Sequence, residues 1–247
     1  MTEDRRFSAL SRLYGVAAGH KIRTSHVLVV GIGGVGSWAA EALARSGVGR
    51  ITLIDLDHVA ESNINRQIHA TLATQGMAKV LAMRDRIASY FPQCQVQCVD
   101  DFATPSNWSR IVPADVDAVI DACDQVQTKV CLAHWAQEQG KIFVTSGAAG
   151  GKRHAQRVDL DDLSRVTHDP LLAKVRYALR RHHGAARGEQ RMQVTCVFSA
   201  EAVALPDASC QVAGDGTLNC HGYGSLVTVT ATFGMCAAGY VLNQLAG

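Results

Sequence analysis

A chain of 247 residues, 47% apolar and 19% charged, can bury a large core, so neither a disordered protein nor a disulfide-stapled miniature describes it. Its formal net charge of +2 is too mild to declare a nucleic-acid partner, and any basic surface must be local. The eight cysteines include no C-x-x-C pair and no basic-then-apolar leader opens the chain, so reduced thiols in the cytoplasm are expected rather than secretion.

In chain order, residues 5–15 place Arg12 and Tyr14 ahead of the first strand; by composition Arg12 is a solvated cation on a short amphipathic helix. Residues 27–30 are a continuous apolar run, the signature of a buried parallel strand. Gly31, Gly33 and Gly36 then give G-x-G-x-x-G spacing, and Trp38, Ala39, Ala42 and Leu43 continue with helical periodicity. A turn without side chains lets backbone N–H groups and the positive helix end approach a phosphate. A second apolar strand at 51–54 delivers Asp55 and Asp57 where an acid bonds a ribose hydroxyl. This is a nucleotide-binding βαβ unit, and the expected fold is α/β: a Rossmann-like, largely parallel sheet flanked by helices, with a C-terminal extension of the sheet.

The polar run 58–67 follows that strand. A dinucleotide dehydrogenase has no evident use for Asn63, Asn65 and Arg66 so close to its ribose acid, whereas a triphosphate needs cationic donors there. Lys79 opens an amphipathic helix, where a cation works against the dipole unless an anion is near. Strands are expected at 95–99 and 116–120, the latter ending in Asp121-Ala122-Cys123-Asp124. A carboxylate just outside a parallel strand suits Mg²⁺, and Asp124 is the candidate because Asp121 is expected to cap the next helix. A helix at 129–139, a strand at 142–145 and a small-residue loop at 146–151 complete the alternation. The chain is expected to be one domain, with residues 1–25 as an N-terminal arm, 26–150 as the nucleotide-binding core and 151–247 as a substrate and dimer segment.

GIGGVGS, LIDLD, SNINRQ, Lys79 and DACD resemble the adenylation core of the ubiquitin-activating-enzyme-like superfamily. NRQIHA, DDF-x-TP, HDPL, CVFS-x-E and TVTATFG extend the likeness to nearly the whole chain, toward the branch that dehydrates the threonylcarbamoyl group on a tRNA adenosine next to the anticodon. The resemblance implies an ATP-dependent enzyme that converts a carboxylate to its acyl-adenylate. It implies that Gly31, Gly33, Gly34, Gly36 and Asp55 hold ATP, that Asn63 and Arg66 face the triphosphate, that Lys79 neutralises it and that Asp124 carries Mg²⁺. Arg12 matches the arginine that such proteins insert into the partner subunit's site, which implies a homodimer. A monovalent cation, K⁺ or Na⁺, is a further candidate cofactor, since backbone carbonyls can build its site without a motif. Modified tRNA is the implied partner, with a cysteine desulfurase or sulfur acceptor as a second.

Activators of sulfur-carrier or ubiquitin-like proteins are the alternative class. They typically carry two C-x-x-C pairs that hold zinc, absent here. A nicotinamide oxidoreductase leaves Asn63, Arg66, Lys79 and Asp124 unexplained together. Cys220, beside His221, is the best thiol candidate, although ring closure by a tethered nucleophile requires no enzyme thiol. Residues 174–191 hold Lys174, Arg176, Arg180, Arg181, Arg187 and Arg191 against Glu189, a cationic excess that suits tRNA phosphates, with contact expected at Arg180 and Arg181. Residues 216–247 have no Asp, Glu, Lys or Arg, so membrane association is the minor alternative to a strand at 226–229 running into a buried helix.

Overall fold

The computed structural model describes residues 5–188, 190–207, 209 and 223–247. Among the described residues seven strands form one sheet: β1 (His26–Val30), β2 (Arg50–Ile54), β3 (Gln95–Val99), β4 (Ala118–Asp121), β5 (Ile142–Ser146), β6 (Val158–Asp162) and β7 (Thr195–Ser199). Their spatial order is β3-β2-β1-β4-β5-β7-β6. All neighbours are parallel except β6 and β7, whose antiparallel pairing supplies the extension of the sheet. The order reverses at β1, flanked by β2 and β4, and ligands of open α/β sheets bind at the carboxyl ends of strands at such a reversal. β4 begins two residues later than the apolar run, because Val116 is taken up in a turn onto the Pro113 carbonyl.

Alternate residues of β1 serve opposite cores. Val27 and Val29 face the side packed by α3 (Gly36–Arg45), α4 (Lys79–Ala88) and α8 (Val227–Ala246). Leu28 and Val30 face the side covered by α5 (Trp108–Ile111), α6 (Val126–Glu138) and α7 (Pro170–His182). Burial on both faces explains why the central strands read as mainly apolar runs without alternation. The N-terminal helices α1 (Ser8–Tyr14) and α2 (Val16–Thr24) lie against the first side; the Tyr14 hydroxyl hydrogen-bonds Asn243 of α8 at 2.7 Å.

The C-terminal segment departs from expectation. Residues 226–229 are not a strand: Leu226 is extended, and the chain is helical from Val227. The β-branched residues favour a strand locally, but Val229, Thr230, Phe233, Gly234, Ala237, Ala238, Val241, Leu242 and Leu245 recur at helical spacing and are all buried. Gly234 lets α8 approach α3 closely, since a Cβ there would collide with the Val35 carbonyl. Each buried Val, Leu or Phe of this face contributes roughly 1.5–3 kcal/mol. Among the described residues no helix is long and apolar enough to cross a membrane.

Candidate functional site

The glycine turn sits at the β1 reversal. Gly31 has φ +83° and donates its N–H to the Ile54 carbonyl at 2.8 Å, tying the turn to β2. A Cβ on Gly36 would run into the Gly31 carbonyl, so the sharp entry into α3 admits no larger residue. Above Gly34 lie Thr230 of α8 and the Arg66 side chain, at 3.2 and 3.4 Å from where a Cβ would stand.

Asp55, at the end of β2, closes one side. One carboxylate oxygen accepts the Ile32 N–H at 2.5 Å and the other the Asp57 N–H at 2.9 Å. Burial raises its pKa, opposed by Lys79 and by those two amides. Lys79 is itself buried, and its ammonium contacts Asp57 at 2.7 Å. Asn63 is buried in the Glu61–Asn63 turn with Oδ1 accepting the Ala60 N–H. Arg66 is held by the Ser62 carbonyl and Asn65 Oδ1, at 2.7 and 2.9 Å. Its backbone carbonyl receives the Trp38 indole N–H at 3.0 Å, which fixes the Arg66 loop to α3.

The loop that carries Asp124 meets this group, since the Ala122 and Cys123 backbone packs directly onto Gly31. The Asp124 carboxylate is exposed and, among the described residues, accepts a hydrogen bond from the Gln125 side-chain amide at 3.2 Å. Asp121 does not cap α6, whose N-cap is Gln125. Its carboxylate turns inward, where Oδ2 meets Lys129 Nζ at 3.2 Å and the Thr145 hydroxyl at 2.7 Å. Both members of that ion pair are fully buried. With Asp121 paired to Lys129, Asp124 is the exposed carboxylate of this loop. Among the described residues no three His, Cys, Asp or Glu side chains form a metal cage. That donor set fits Mg²⁺, which takes one or two carboxylates and completes its shell with phosphate oxygens and water.

The structure therefore gathers the four glycines, Asp55, Asn63, Arg66, Lys79 and the Asp124 loop at one place. Arg12 is not among them: it is exposed on α1. Cys220 lies outside the described residues. The six described cysteines have raised pKa values, all through burial, with Cys94 pushed up to about 12, so none is an activated nucleophile.

Several neighbours were not among the expected site residues. Thr230 and Ser225 come from the far end of the chain; the Ser225 carbonyl accepts the Asn65 side-chain N–H at 3.2 Å. Gln67 is buried beside Gly33 with an unpartnered Oε1, which its NRQ context could have flagged. Buried His69 has both ring nitrogens unpartnered, and burial with nearby Lys79 and Arg86 lowers its pKa to about 4. It is a neutral neighbour of Lys79, leaving the cationic charge to the lysine.

Cations converge on a glycine-lined turn at a sheet reversal, and such a fold and site define a nucleotide-binding α/β protein suited to a polyphosphate. The chain belongs to the ThiF family, whose model matches residues 6–247. It is 41% identical to a tRNA threonylcarbamoyladenosine dehydratase of Escherichia coli K12, over 97% of this chain and 93% of that protein. A protein of the same name from Haemophilus influenzae is 39% identical over 98% and 94%. The crystal structure of the E. coli enzyme, TcdA, in complex with ATP matches with a TM-score of 0.88 at 41% identity, covering 98% of this chain and 93% of that one.

Proposed function

We propose that this protein is an ATP-dependent tRNA threonylcarbamoyladenosine dehydratase that closes a ring on the modified adenosine through an acyl-adenylate. The observation that carries the reading is the placement of Arg66 over the Gly34 turn with Lys79 and Asp55 beside it, in a chain similar over nearly its full length to dehydratases of that name.

The substrate carboxylate attacks the α-phosphorus of ATP and pyrophosphate leaves. A neighbouring atom of the same modification then attacks the activated carbonyl and AMP leaves, so one water is lost overall from the nucleoside. Two anions must meet, so the demand is on charge: Arg66 and Lys79 offset repulsion and stabilise the leaving pyrophosphate, while the turn amides hold phosphate oxygens. Asp55 holds the ribose, and the Asn63 side chain faces the triphosphate. Mg²⁺ held by Asp124 supplies further charge neutralisation at the phosphates when bound. The second step is intramolecular, so effective molarity replaces an enzyme nucleophile.

In this reading the functional unit is a cytoplasmic homodimer, with Arg12 of α1 completing the neighbouring subunit's site and residues 151–247 serving substrate and dimer contacts. Exposed Leu13 and Val16 flank Arg12 on α1 and α2, which supports a protein surface there. A K⁺ or Na⁺ site and a cysteine desulfurase or sulfur-acceptor partner are the remaining elements. The test is incubation with ATP, Mg²⁺ and tRNA bearing the modification. Loss of one water from the nucleoside with stoichiometric AMP and pyrophosphate is expected. Pyrophosphate exchange that instead depends on a small protein with a C-terminal Gly-Gly would replace this reading with a carrier-protein activator.

A further inference from the structure

Three carbonyls from two stretches outside the nucleotide cradle converge on one buried side chain. Lys152 lies at the end of the loop after β5, and its ammonium donates to the main-chain carbonyls of His168 (3.0 Å), Ser199 (3.4 Å) and Glu201. These acceptors belong to the HDPL and CVFS-x-E stretches, which nothing in nucleotide binding uses. An ammonium has three N–H donors and meets three acceptors here, so none remains for a substrate. His168 has φ +58°, a left-handed conformation that a non-glycine residue adopts only when its surroundings hold it.

Carboxylates hold the same loop without touching the ammonium. Glu201 accepts the Arg153 and His154 N–H groups at 2.9 to 3.1 Å. Asp169 accepts the Ala148 N–H at 2.9 Å and caps α7 through Leu172. Burial lowers the Lys152 pKa, with Asp169 and Glu201 opposing.

The loop reaches the nucleotide cradle by a short chain of contacts. Gly151, next to Lys152, donates its N–H to the Gly224 carbonyl at 3.0 Å. The adjacent Ser225 carbonyl accepts Asn65 Nδ2, and Asn65 Oδ1 accepts Arg66. Whatever fixes Lys152 therefore fixes the wall beside Arg66.

We propose that Lys152 is a positioning residue that acts as a tethered monovalent cation, its ammonium filling a cage of backbone carbonyls that locks the loop after β5 and, through Gly224 and Asn65, the Arg66 side of the site. Backbone carbonyls arranged this way suit an ammonium or a potassium ion, and the chain supplies that charge itself. The cage stands on the contacts alone; only its effect on catalysis rests on the dehydratase reading.

The test compares wild type, K152A and K152M as purified full-length proteins in choline, lithium, potassium and ammonium chloride at matched ionic strength. K152A opens the cage, whereas the methionine of K152M blocks it. In choline or lithium, K152A is expected to melt several degrees below wild type and to turn over modified tRNA about a hundredfold more slowly, the scale of a misplaced site. ATP binding stays within a few-fold. Measured against wild type in the same salt, potassium and ammonium restore both melting temperature and turnover to K152A and do neither for K152M.

A folded K152A with wild-type turnover and melting in choline overturns the proposal, and so does a defect that no cation, or every cation equally, repairs. If K152A does not fold in choline, its refolding yield in ammonium against lithium decides in the same way. A wild-type protein that releases no AMP with modified tRNA would defeat the dehydratase reading, while the cation dependence of K152A melting would still judge the cage.

Discussion

Lys79 and Asp57 form an unequal pair: Nζ lies 2.7 Å from the carboxylate, yet the lysine side chain is 8% exposed and the aspartate 56%. The Lys79 N–H also donates to the Asp57 carbonyl at 2.9 Å, so backbone and side chain hold the ammonium together. A carboxylate so open to water contributes under about 1 kcal/mol to stability, and an arriving phosphate can compete for the lysine. K79M is therefore expected to lower turnover by about 10²-fold with little change in melting temperature. D57N should change the KM for ATP by less than about tenfold, since the buried stem and backbone bond keep Lys79 in place. Steady-state kinetics on both variants check this; equal losses would mean that Asp57 itself contacts substrate.

Asp55 makes a pH-dependent contribution whose sign follows from its environment. Burial raises its carboxyl pKa above the ordinary value in the folded, ligand-free protein. Between the unfolded pKa and that raised value the folded state binds more protons, so this group's stabilisation is present at low pH and lost as pH rises through the folded value. In urea titrations at stepped pH, the difference in unfolding free energy between wild type and D55N is expected to move against wild type across that window. D55N is also expected to erase the preference for ATP over 2′-deoxy- and 3′-deoxy-ATP, as measured by calorimetry.

Much of this architecture is legible in the residues, and the exceptions have physical causes. Predominantly apolar runs at β1, β2 and β5 and the glycines at 31, 33 and 36 mark the parallel core, because strands buried on both faces need no alternation. Leu226 to Val229 reads as a strand by local preference, and only packing against α3 shows that the helical period from Val229 to Leu245 prevails. Lys129 resembles a surface charge, since its partners Asp121 and Thr145 come from separate strands. Lys152 is less legible still: its acceptors at 168, 199 and 201 meet only after β6, α7 and β7 have folded.

The Lys129–Asp121 pair has neither side chain exposed, and its role is local order beneath Cys123 and Asp124. Asp121 Oδ1 accepts the Cys123 N–H at 3.1 Å while Oδ2 takes Lys129 and Thr145. Breaking a buried pair leaves an uncompensated charge, so K129M should cost about 3–5 kcal/mol in chemical denaturation. The double variant D121N/K129M is expected to recover a substantial part, because removing both charges removes the desolvation penalty. If K129M loses nothing, the pair does not hold the Asp124 loop.

The basic stretch of α7 and the turn after it divides its labour, where the sequence predicts tRNA contact at both Arg180 and Arg181. Arg180 Nε donates to the Ala186 carbonyl at 2.9 Å and Arg176 to the Leu163 and Val166 carbonyls, so both are committed to folding the chain. Arg181 is exposed, resting its guanidinium on the Tyr177 hydroxyl at 2.9 Å, and Lys174 and Arg187 are exposed as well. R181Q is therefore expected to weaken tRNA binding modestly and to flatten the slope of log affinity against log salt by about one unit, as the loss of a single phosphate contact requires. R180Q should instead expose the 183–188 turn to protease, with its salt slope nearly unchanged. Fluorescence anisotropy with labelled tRNA across a salt series, paired with limited proteolysis, separates the two. A slope that R181Q leaves intact would remove this helix from the tRNA footprint.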